Sequence, residues 1–217
     1  MITLWHCHNA RSFRPLWALE ELGLSYELKM LPFPPRMFAK EYLSVNPLGT
    51  IPFFRDGETV MTESAAICEF LVARYGPTSL AVAPDDAAFG AYLNWLHFGE
   101  ATLTFPQTLV LRYSRLEPEA RRQPQVAEDY AKWFLGRLRA VNAAMETREY
   151  LCADRFTAAD ISVGYALQLA TSLGLSAQFP PAVTAYWDRL QQRDGYKRAC
   201  EAQIRAAKEQ NVGVLTF

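Results

Sequence analysis

Residues 46–76 read NPLGTIPFFRDGETVMTESAAICEFLVARYG. The pair DG at 56–57 separates two short apolar runs, FF at 53–54 and TVM at 59–61. A DG pair between such runs is a strong signal for a β-hairpin. From 62 to 75 the apolar residues recur at helical spacing, so a helix follows the hairpin. The stretch therefore predicts two antiparallel strands and then one helix.

Upstream of this stretch, strand and helix patterns alternate. The apolar and aromatic run at 2–6 predicts a strand, and leucines at helical spacing predict a helix over 13–22. Gly23 suits the left-handed cap that ends such a helix. The run YELKM at 26–30 is a second candidate strand, and a short helix is expected near 37–43. A strand, a helix and a strand in this order favour parallel pairing.

Downstream of the predicted hairpin and helix the pattern changes. TSLAVAPDDAA has the composition of a linker, and helical periodicity alone follows it. We therefore predict an α/β domain over 1–78, a linker over 79–86 and an all-helical domain over 87–217. The predicted helices of the second domain span 87–114, 125–147, 158–173, 181–193 and 196–209.

The charge balance argues against several classes of partner. The 217 residues include 22 Lys and Arg against 23 Asp and Glu, a formal net charge of −1. We therefore expect no nucleic-acid partner and no membrane partner. No leader pattern opens the chain and no window approaches the ~20 apolar residues of a membrane span, so a cytoplasmic protein is expected. Four separated cysteines and three histidines give no metal-ligand spacing, and no metal is expected.

Three segments carry a resemblance to a known family. They are NARSFRPLWALEELGLSYE at 9–27, the stretch at 46–76 already quoted, and YLCADRFTAADISVGYAL at 150–167. In this order and spacing they resemble the cytosolic glutathione transferases. The resemblance implies a thioredoxin-like amino-terminal domain of order βαβαββα, an all-α carboxy-terminal domain, glutathione as co-substrate, a small electrophile as second substrate and a homodimer.

The resemblance also implies where glutathione binds. A cis peptide bond at Ile51-Pro52 would let the backbone of Ile51 pair with the cysteinyl amide like an unpaired strand edge. The amino end of the helix that opens at Glu63 favours an anion, so Ser64 would hold the γ-glutamyl carboxylate and Glu63 the α-ammonium. Lys40 is the candidate for the glycyl carboxylate.

The residue that activates the thiol is the open point of the resemblance. Many serine-type relatives have a hydroxyl where this chain has Ala10, so Ser12 and Asn9 are the candidate donors to the thiolate. A Ser before an apolar helical run is also a common N-cap, which is the alternative role of Ser12. Cys7 offers a third hypothesis, a thiol-dependent oxidoreductase.

Two further activities fit the same activated sulfur, namely glutathione-dependent isomerisation and peroxide reduction. A transferase-like binding protein without catalysis is the remaining alternative, for which Ala10 argues. For the transferase, the resemblance places the acceptor pocket between the two domains. The candidate lining residues are Phe33, Phe105, Leu109, Arg112 and Tyr113.

FTAADI in the second domain resembles the buried folding motif of the family. Thr157 as N-cap and Asp160 at N3 have the spacing of a capping box, with Asp in place of the usual Glu. Phe156 and Ile161 have the spacing of a hydrophobic staple. We expect this motif to serve stability.

Overall fold

The computed structural model describes residues 1–214, and the chain divides into two units. The first unit combines Met1–Ala81 with residues 191–214, and the second is Val82–Leu190. The last helix therefore groups with the amino-terminal part of the chain, whereas the prediction placed it within the domain 87–217.

The first unit is built on a four-stranded sheet with the order β2-β1-β3-β4. The strands are β1 (Ile2–His6), β2 (Tyr26–Met30), β3 (Phe53–Asp56) and β4 (Thr59–Met61). β1 pairs in parallel with β2 and antiparallel with β3, which continues into the β4 hairpin. The central strand β1 is buried along its whole length. The predicted thioredoxin-like order is confirmed.

Three helices of this unit come from the predicted βαβαββα segment. They are α1 (Phe13–Leu22), α2 (Pro35–Phe38) and α3 (Ser64–Arg74), and a 3₁₀ turn over Lys40–Ser44 follows α2. α1 ends as predicted, because Gly23 adopts a left-handed φ of 63° that L side chains rarely adopt.

The last helix, α9 (Asp194–Glu209), completes the first unit. Its buried face carries small residues, which allow close approach to α1 and β2. Arg193 pairs with Glu21 of α1 at 2.8 Å, and Arg198 pairs with Glu20 at 3.2 Å. Helical periodicity shows that such a helix has an apolar face, but it does not show which surface packs against that face. The packing of α9 on the sheet was therefore not predicted.

The second unit is helical throughout its described elements. Its helices are α4 (Phe89–His97), α5 (Phe105–Leu111), α6 (Pro124–Met145), α7 (Ala158–Ser172) and α8 (Pro181–Gln191, whose last residue falls in the first unit). A π-helical segment, Phe98–Thr104, joins α4 to α5. Here Gly99 lies against Ser162 of α7, so closely that a Cβ atom would come within 2.4 Å of its Oγ. No helix within residues 1–214 is long and apolar enough to span a membrane.

The capping box at the start of α7 is confirmed. The Thr157 side chain accepts from the backbone of α7, and Asp160 Oδ2 accepts the Thr157 N–H at 2.8 Å. Asp160 is completely buried. Its other oxygen, Oδ1, accepts from the Leu151 N–H at 3.0 Å and from the Tyr186 hydroxyl at 2.8 Å. The carboxylate therefore joins three segments of the helical unit.

Candidate functional site

The loop Cys7–Ser12 follows the carboxyl end of β1 and contains the predicted thiol-activating residues. The Ala10 N–H donates to the Cys7 carbonyl at 3.1 Å, and the Phe13 N–H donates to the Ala10 carbonyl at 2.8 Å. Asn9 has a left-handed φ of 53°, which asparagine tolerates better than most residues. Its side chain is half-buried. The loop thus holds Asn9 in a defined backbone conformation.

A buried hydrogen-bond chain supports this loop. Gln203 Oε1 accepts the backbone N–H of Asn9 at 3.0 Å, and the same oxygen lies 3.0 Å from His6 Nε2. Because this oxygen can only accept, His6 Nε2 carries the proton and Nδ1 accepts from the Ser12 hydroxyl at 2.7 Å. Burial lowers the pKa of His6 to about 4, which keeps the ring neutral at pH 7.

This hydrogen-bond chain argues against the predicted donation from the Ser12 hydroxyl to the thiolate. The Ser12 side chain is fully buried, and its one proton is donated to His6. Ser12 occupies the N-cap position of α1, as the alternative predicted, but its hydroxyl makes no capping hydrogen bond. The sequence did not link Ser12 to a histidine on the neighbouring strand. Donation from the Asn9 amide to the thiolate stays a prediction.

Cys7 is not a reactive thiol in this structure. It is fully buried, and its Sγ donates to the Pro32 carbonyl at 3.7 Å. Burial raises the pKa of the Cys7 thiol well above its usual range. Since thiol chemistry needs an accessible thiolate, this finding contradicts the oxidoreductase hypothesis.

The Ile51–Pro52 peptide bond is cis, as the resemblance implied. Ile51 is buried in an apolar cluster with Trp5 and Phe53. Pairing between β1 and β3 begins at Phe53, so Ile51 precedes the paired strand. Among residues 1–214, the backbone N–H and C=O of Ile51 have no hydrogen-bond partner. This backbone has the character of an open strand edge, to which an extended peptide can bind.

A buried positive charge lies beside the amino end of α3. Ser64 is the first residue of α3, and its Oγ lies 3.1 Å from Arg14 Nη1, which donates to it. Arg14 is completely buried. The first N–H groups of the helix and the guanidinium both favour an anion at this position. Arg14 was not among the predicted site residues, although a charged residue inside the apolar run 13–19 was the available signal.

Glu63 and Lys40 are both exposed. Glu63 is the N-cap of α3, and its side chain makes no capping hydrogen bond. Lys40 begins the 3₁₀ turn after α2. What these two side chains bind therefore stays a prediction. In the part of the chain that the structure describes, no three His, Cys, Asp or Glu side chains group as a metal site.

The residues predicted to line the pocket for the electrophilic acceptor differ in burial and in their contacts. In the first unit, Phe33 is half-buried against the cluster that contains Ile51. In the second, Arg112 Nε lies 2.8 Å from Glu117 Oε1, and the guanidinium stands over the Tyr113 ring at 5.4 Å. Arg112 therefore already has a carboxylate partner, which weakens its predicted suitability for an anionic acceptor.

Phe105 lines a surface groove within the helical unit. Its side chain is 54% exposed. The groove has a volume of about 520 Å³ and is also lined by Trp133 and Arg137. Leu109, one helical turn further along α5, is half-buried. The acceptor pocket as a whole stays a prediction.

Comparison with known families matches both parts of the chain. Residues 10–74 match the family model described as glutathione S-transferase, N-terminal domain. Residues 110–194 match the one described as glutathione S-transferase, C-terminal domain. The first match contains the β1–α1 loop from Ala10 onward, the cis proline and the start of α3.

Individual proteins of the same family are also similar to this chain. Glutathione S-transferase 3 of Schizosaccharomyces pombe is 31% identical over 173 residues, which cover 74% of this chain and 70% of that protein. GstB of Escherichia coli K12 is 27% identical over 207 residues, covering 91% and 97%. The solved structure of the Phanerochaete chrysosporium transferase Ure2p6 with oxidized glutathione has a TM-score of 0.82 and 27% identity, covering 94% of this chain and 97% of that one. The chain therefore belongs to the glutathione S-transferase family, and it is a glutathione transferase.

Proposed function

We propose that this transferase holds glutathione on Ile51, Glu63 and Ser64, and that the side-chain amide of Asn9 stabilises the thiolate for transfer to a small electrophile. The observation that carries the proposal is the open backbone of Ile51, directly before the paired part of β3, because an unpaired strand edge can pair with the cysteinyl amide of the tripeptide. The amino end of α3 at Ser64 supports a carboxylate site.

Each part of the tripeptide has a candidate partner. The γ-glutamyl carboxylate binds Ser64 and the first turn of α3, and the exposed Glu63 carboxylate receives the α-ammonium. The cysteinyl amide pairs with the backbone of Ile51. The glycyl carboxylate is assigned to Lys40, which is the position with the least structural support.

We assign the stabilisation of the thiolate to Asn9, which is the other of the two predicted donors. The side chain of Ala10 has no donor, its backbone N–H donates to the Cys7 carbonyl, and Ser12 and Cys7 are buried. A free thiol has a pKa near ~8.5, and each unit by which the site lowers it takes about 1.4 kcal/mol of interaction with the thiolate. An amide N–H donor and the amino end of α1 both favour the anion. The thiol proton leaves to solvent, the sulfur forms a bond to the electrophilic carbon, and the leaving group departs with the bonding electrons.

A titration of bound glutathione tests this assignment. The ultraviolet absorbance of the thiolate is followed against pH for the wild-type enzyme and for Asn9→Ala. We expect a bound thiol pKa about one to two units below the solution value in the wild type, and a rise of about one unit in Asn9→Ala. Cys7→Ala is the control and should keep the wild-type value. A wild-type thiol pKa equal to that of free glutathione would refute thiolate activation and leave only binding.

The resemblance leaves two other reactions of the same thiolate as alternatives, namely isomerisation and peroxide reduction. Product analysis with a halogenated aromatic, a cis-enol acid and a hydroperoxide separates them from the transfer reaction.

The oligomeric state and the location are also proposed from the resemblance. A homodimer is proposed, and sedimentation equilibrium tests it. A cytoplasmic location is proposed on the same basis, and fractionation of cells tests it.

A further inference from the structure

Gln203, near the end of the chain, is bonded directly to the proposed thiolate donor. It lies on α9, is 2% exposed, and is separated from Asn9 by 194 residues. Gln203 Nε2 donates to Asn9 Oδ1 at 2.8 Å, and Gln203 Oε1 accepts the Asn9 backbone N–H at 3.0 Å. One buried side chain therefore contacts both the backbone and the side chain of Asn9.

The polarity of this contact follows from one unambiguous donor. A backbone N–H can only donate, so the atom of Gln203 that faces the Asn9 N–H is the oxygen. His6 Nε2 approaches the same oxygen at 3.0 Å. The nitrogen end of Gln203 is then the end that faces the Asn9 side chain, and a nitrogen donor requires Asn9 Oδ1 opposite it. The Asn9 oxygen is thereby held against Gln203, and Nδ2 lies at the opposite end of the amide.

We propose that Gln203 is a positioning residue of the thiol-activating site, which fixes the Asn9 amide so that its nitrogen end, and not its oxygen end, faces the glutathione sulfur. The inference rests on the proposed function of Asn9. The two ends of an amide act in opposite directions, because an N–H stabilises a thiolate and a carbonyl oxygen repels it. The carboxy-terminal helix thus takes part in catalysis through Asn9.

A purely structural role for Gln203 would be to dock α9, and the chain offers a matched control for it. Gln210, which follows α9, makes the same kind of double contact with β2. Its Oε1 accepts the Met30 N–H at 2.8 Å, and its Nε2 donates to the Leu28 carbonyl at 2.8 Å. The pairs of Arg193 with Glu21 and of Arg198 with Glu20 hold the same helix independently.

The test compares Gln203→Met with Gln210→Met, because methionine keeps the length of glutamine and removes its amide. The pKa of the enzyme-bound glutathione thiol, kcat and KM are measured. For Gln203→Met we expect the bound thiol pKa to rise by about one unit, and kcat below that pKa to fall roughly tenfold, with KM for glutathione within about threefold of the wild type. For Gln210→Met we expect an unchanged thiol pKa and a smaller loss of thermal stability, because Gln210 is exposed.

Gln203→Glu sharpens the test and serves if Gln203→Met does not fold. The introduced carboxylate still accepts from the Asn9 N–H and from His6 but cannot donate to Asn9 Oδ1. The Asn9 amide is then expected to turn, with its oxygen toward the sulfur, and the bound thiol pKa should rise further than in Gln203→Met.

Two failures are distinguishable. If the wild-type thiol pKa is lowered and Asn9→Ala raises it, while the folded Gln203 variants leave it unchanged, then Gln203 only docks the helix and this inference is overturned. If Asn9→Ala leaves the lowered thiol pKa unchanged, the assignment of Asn9 itself fails.

Discussion

Each unit contains a buried polar cluster, and the two clusters are built in opposite ways. In the first unit, His6 joins Ser12 and Gln203 through neutral groups, each of which donates to the next. In the second, the single carboxylate of Asp160 collects donors from Leu151, Thr157 and Tyr186. The first cluster is therefore a directed chain of donors, whereas the second is one acid that anchors several segments.

Burial shifts the pKa values of His6 and Asp160 in opposite directions. Desolvation disfavours the charged form of any group, so it lowers the pKa of His6 to about 4 and raises that of Asp160 to about 6. The hydrogen bonds that Asp160 accepts oppose this rise without cancelling it. A chain of neutral hydrogen-bonding groups can fix which end of a neighbouring side chain donates. A buried carboxylate that accepts several hydrogen bonds can join helices. The difference predicts distinct responses to mutation and to pH.

The largest expected effect is the loss of the anchoring carboxylate. Asp160→Ala leaves the buried N–H groups of Leu151 and Thr157 and the hydroxyl of Tyr186 without their acceptor. We expect the free energy of unfolding to fall by about 3 kcal/mol. Urea denaturation followed by circular dichroism measures it.

A matched control is available on α8. Asp188 is exposed, and Asp188→Ala should change the free energy of unfolding by no more than about 0.5 kcal/mol. Equal stabilities of Asp160→Ala and Asp188→Ala would show that the buried carboxylate does not anchor the helical unit.

The next effect concerns pH in the first cluster. The folded-state pKa of His6, about 4, lies below the ~6.5 of an unfolded histidine, so the unfolded chain binds a proton that the folded chain excludes. The stability that neutral His6 contributes is present above pH ~6.5 and is lost as the pH falls toward 4. Relative to His6→Gln, the wild type should lose about 2 kcal/mol of unfolding free energy between pH 7 and pH 5.

Urea denaturation of both proteins at the two pH values measures this difference. His97→Gln, which removes an exposed histidine of α4, controls for the loss of a histidine as such. A difference between wild type and His6→Gln that does not change with pH would mean that His6 is not held neutral.

The two clusters also differ in how far the sequence revealed them. Thr157 and Asp160 are three positions apart, and a capping box is a local motif, so its spacing alone predicted the geometry. The DG hairpin and the Gly23 cap were predicted for the same reason. Asn9 and Gln203 are 194 positions apart, and no local rule joins a loop to a helix at that distance.

The same limit explains the other corrections. Arg14 meets Ser64 across 50 residues, and the hydroxyl of Ser12 turns to a strand residue instead of the ligand. The residue type and the position before a helix were enough to predict a candidate donor. The burial of that side chain and its hydrogen-bond partner depend on how α1, α3 and α9 pack, which the sequence pattern does not give. The family pattern predicted candidate glutathione residues, whereas the contacts of Arg14 with Ser64 and of Gln203 with Asn9 came only from the structure.

The smallest expected effect is the pH dependence of the contribution that Asp160 makes to stability, and its sign is opposite to that of His6. The folded-state pKa of Asp160, about 6, lies above the ~3.9 of an unfolded aspartate, so the folded chain binds the extra proton between these values. This contribution is fully present below pH ~3.9 and is lost as the pH rises through 6. Relative to Asp160→Asn, the wild type should gain about 1 kcal/mol of unfolding free energy between pH 7 and pH 5.

The asparagine also weakens hydrogen bonds, but that loss is nearly the same at both pH values and cancels when the two differences are subtracted. The sign of the remaining change is therefore diagnostic. A gain for Asp160 alongside a loss for His6 would confirm that burial sets both pKa values. A loss at Asp160 would instead mean that its four accepted hydrogen bonds outweigh desolvation, and that the carboxylate is ionised throughout this pH range.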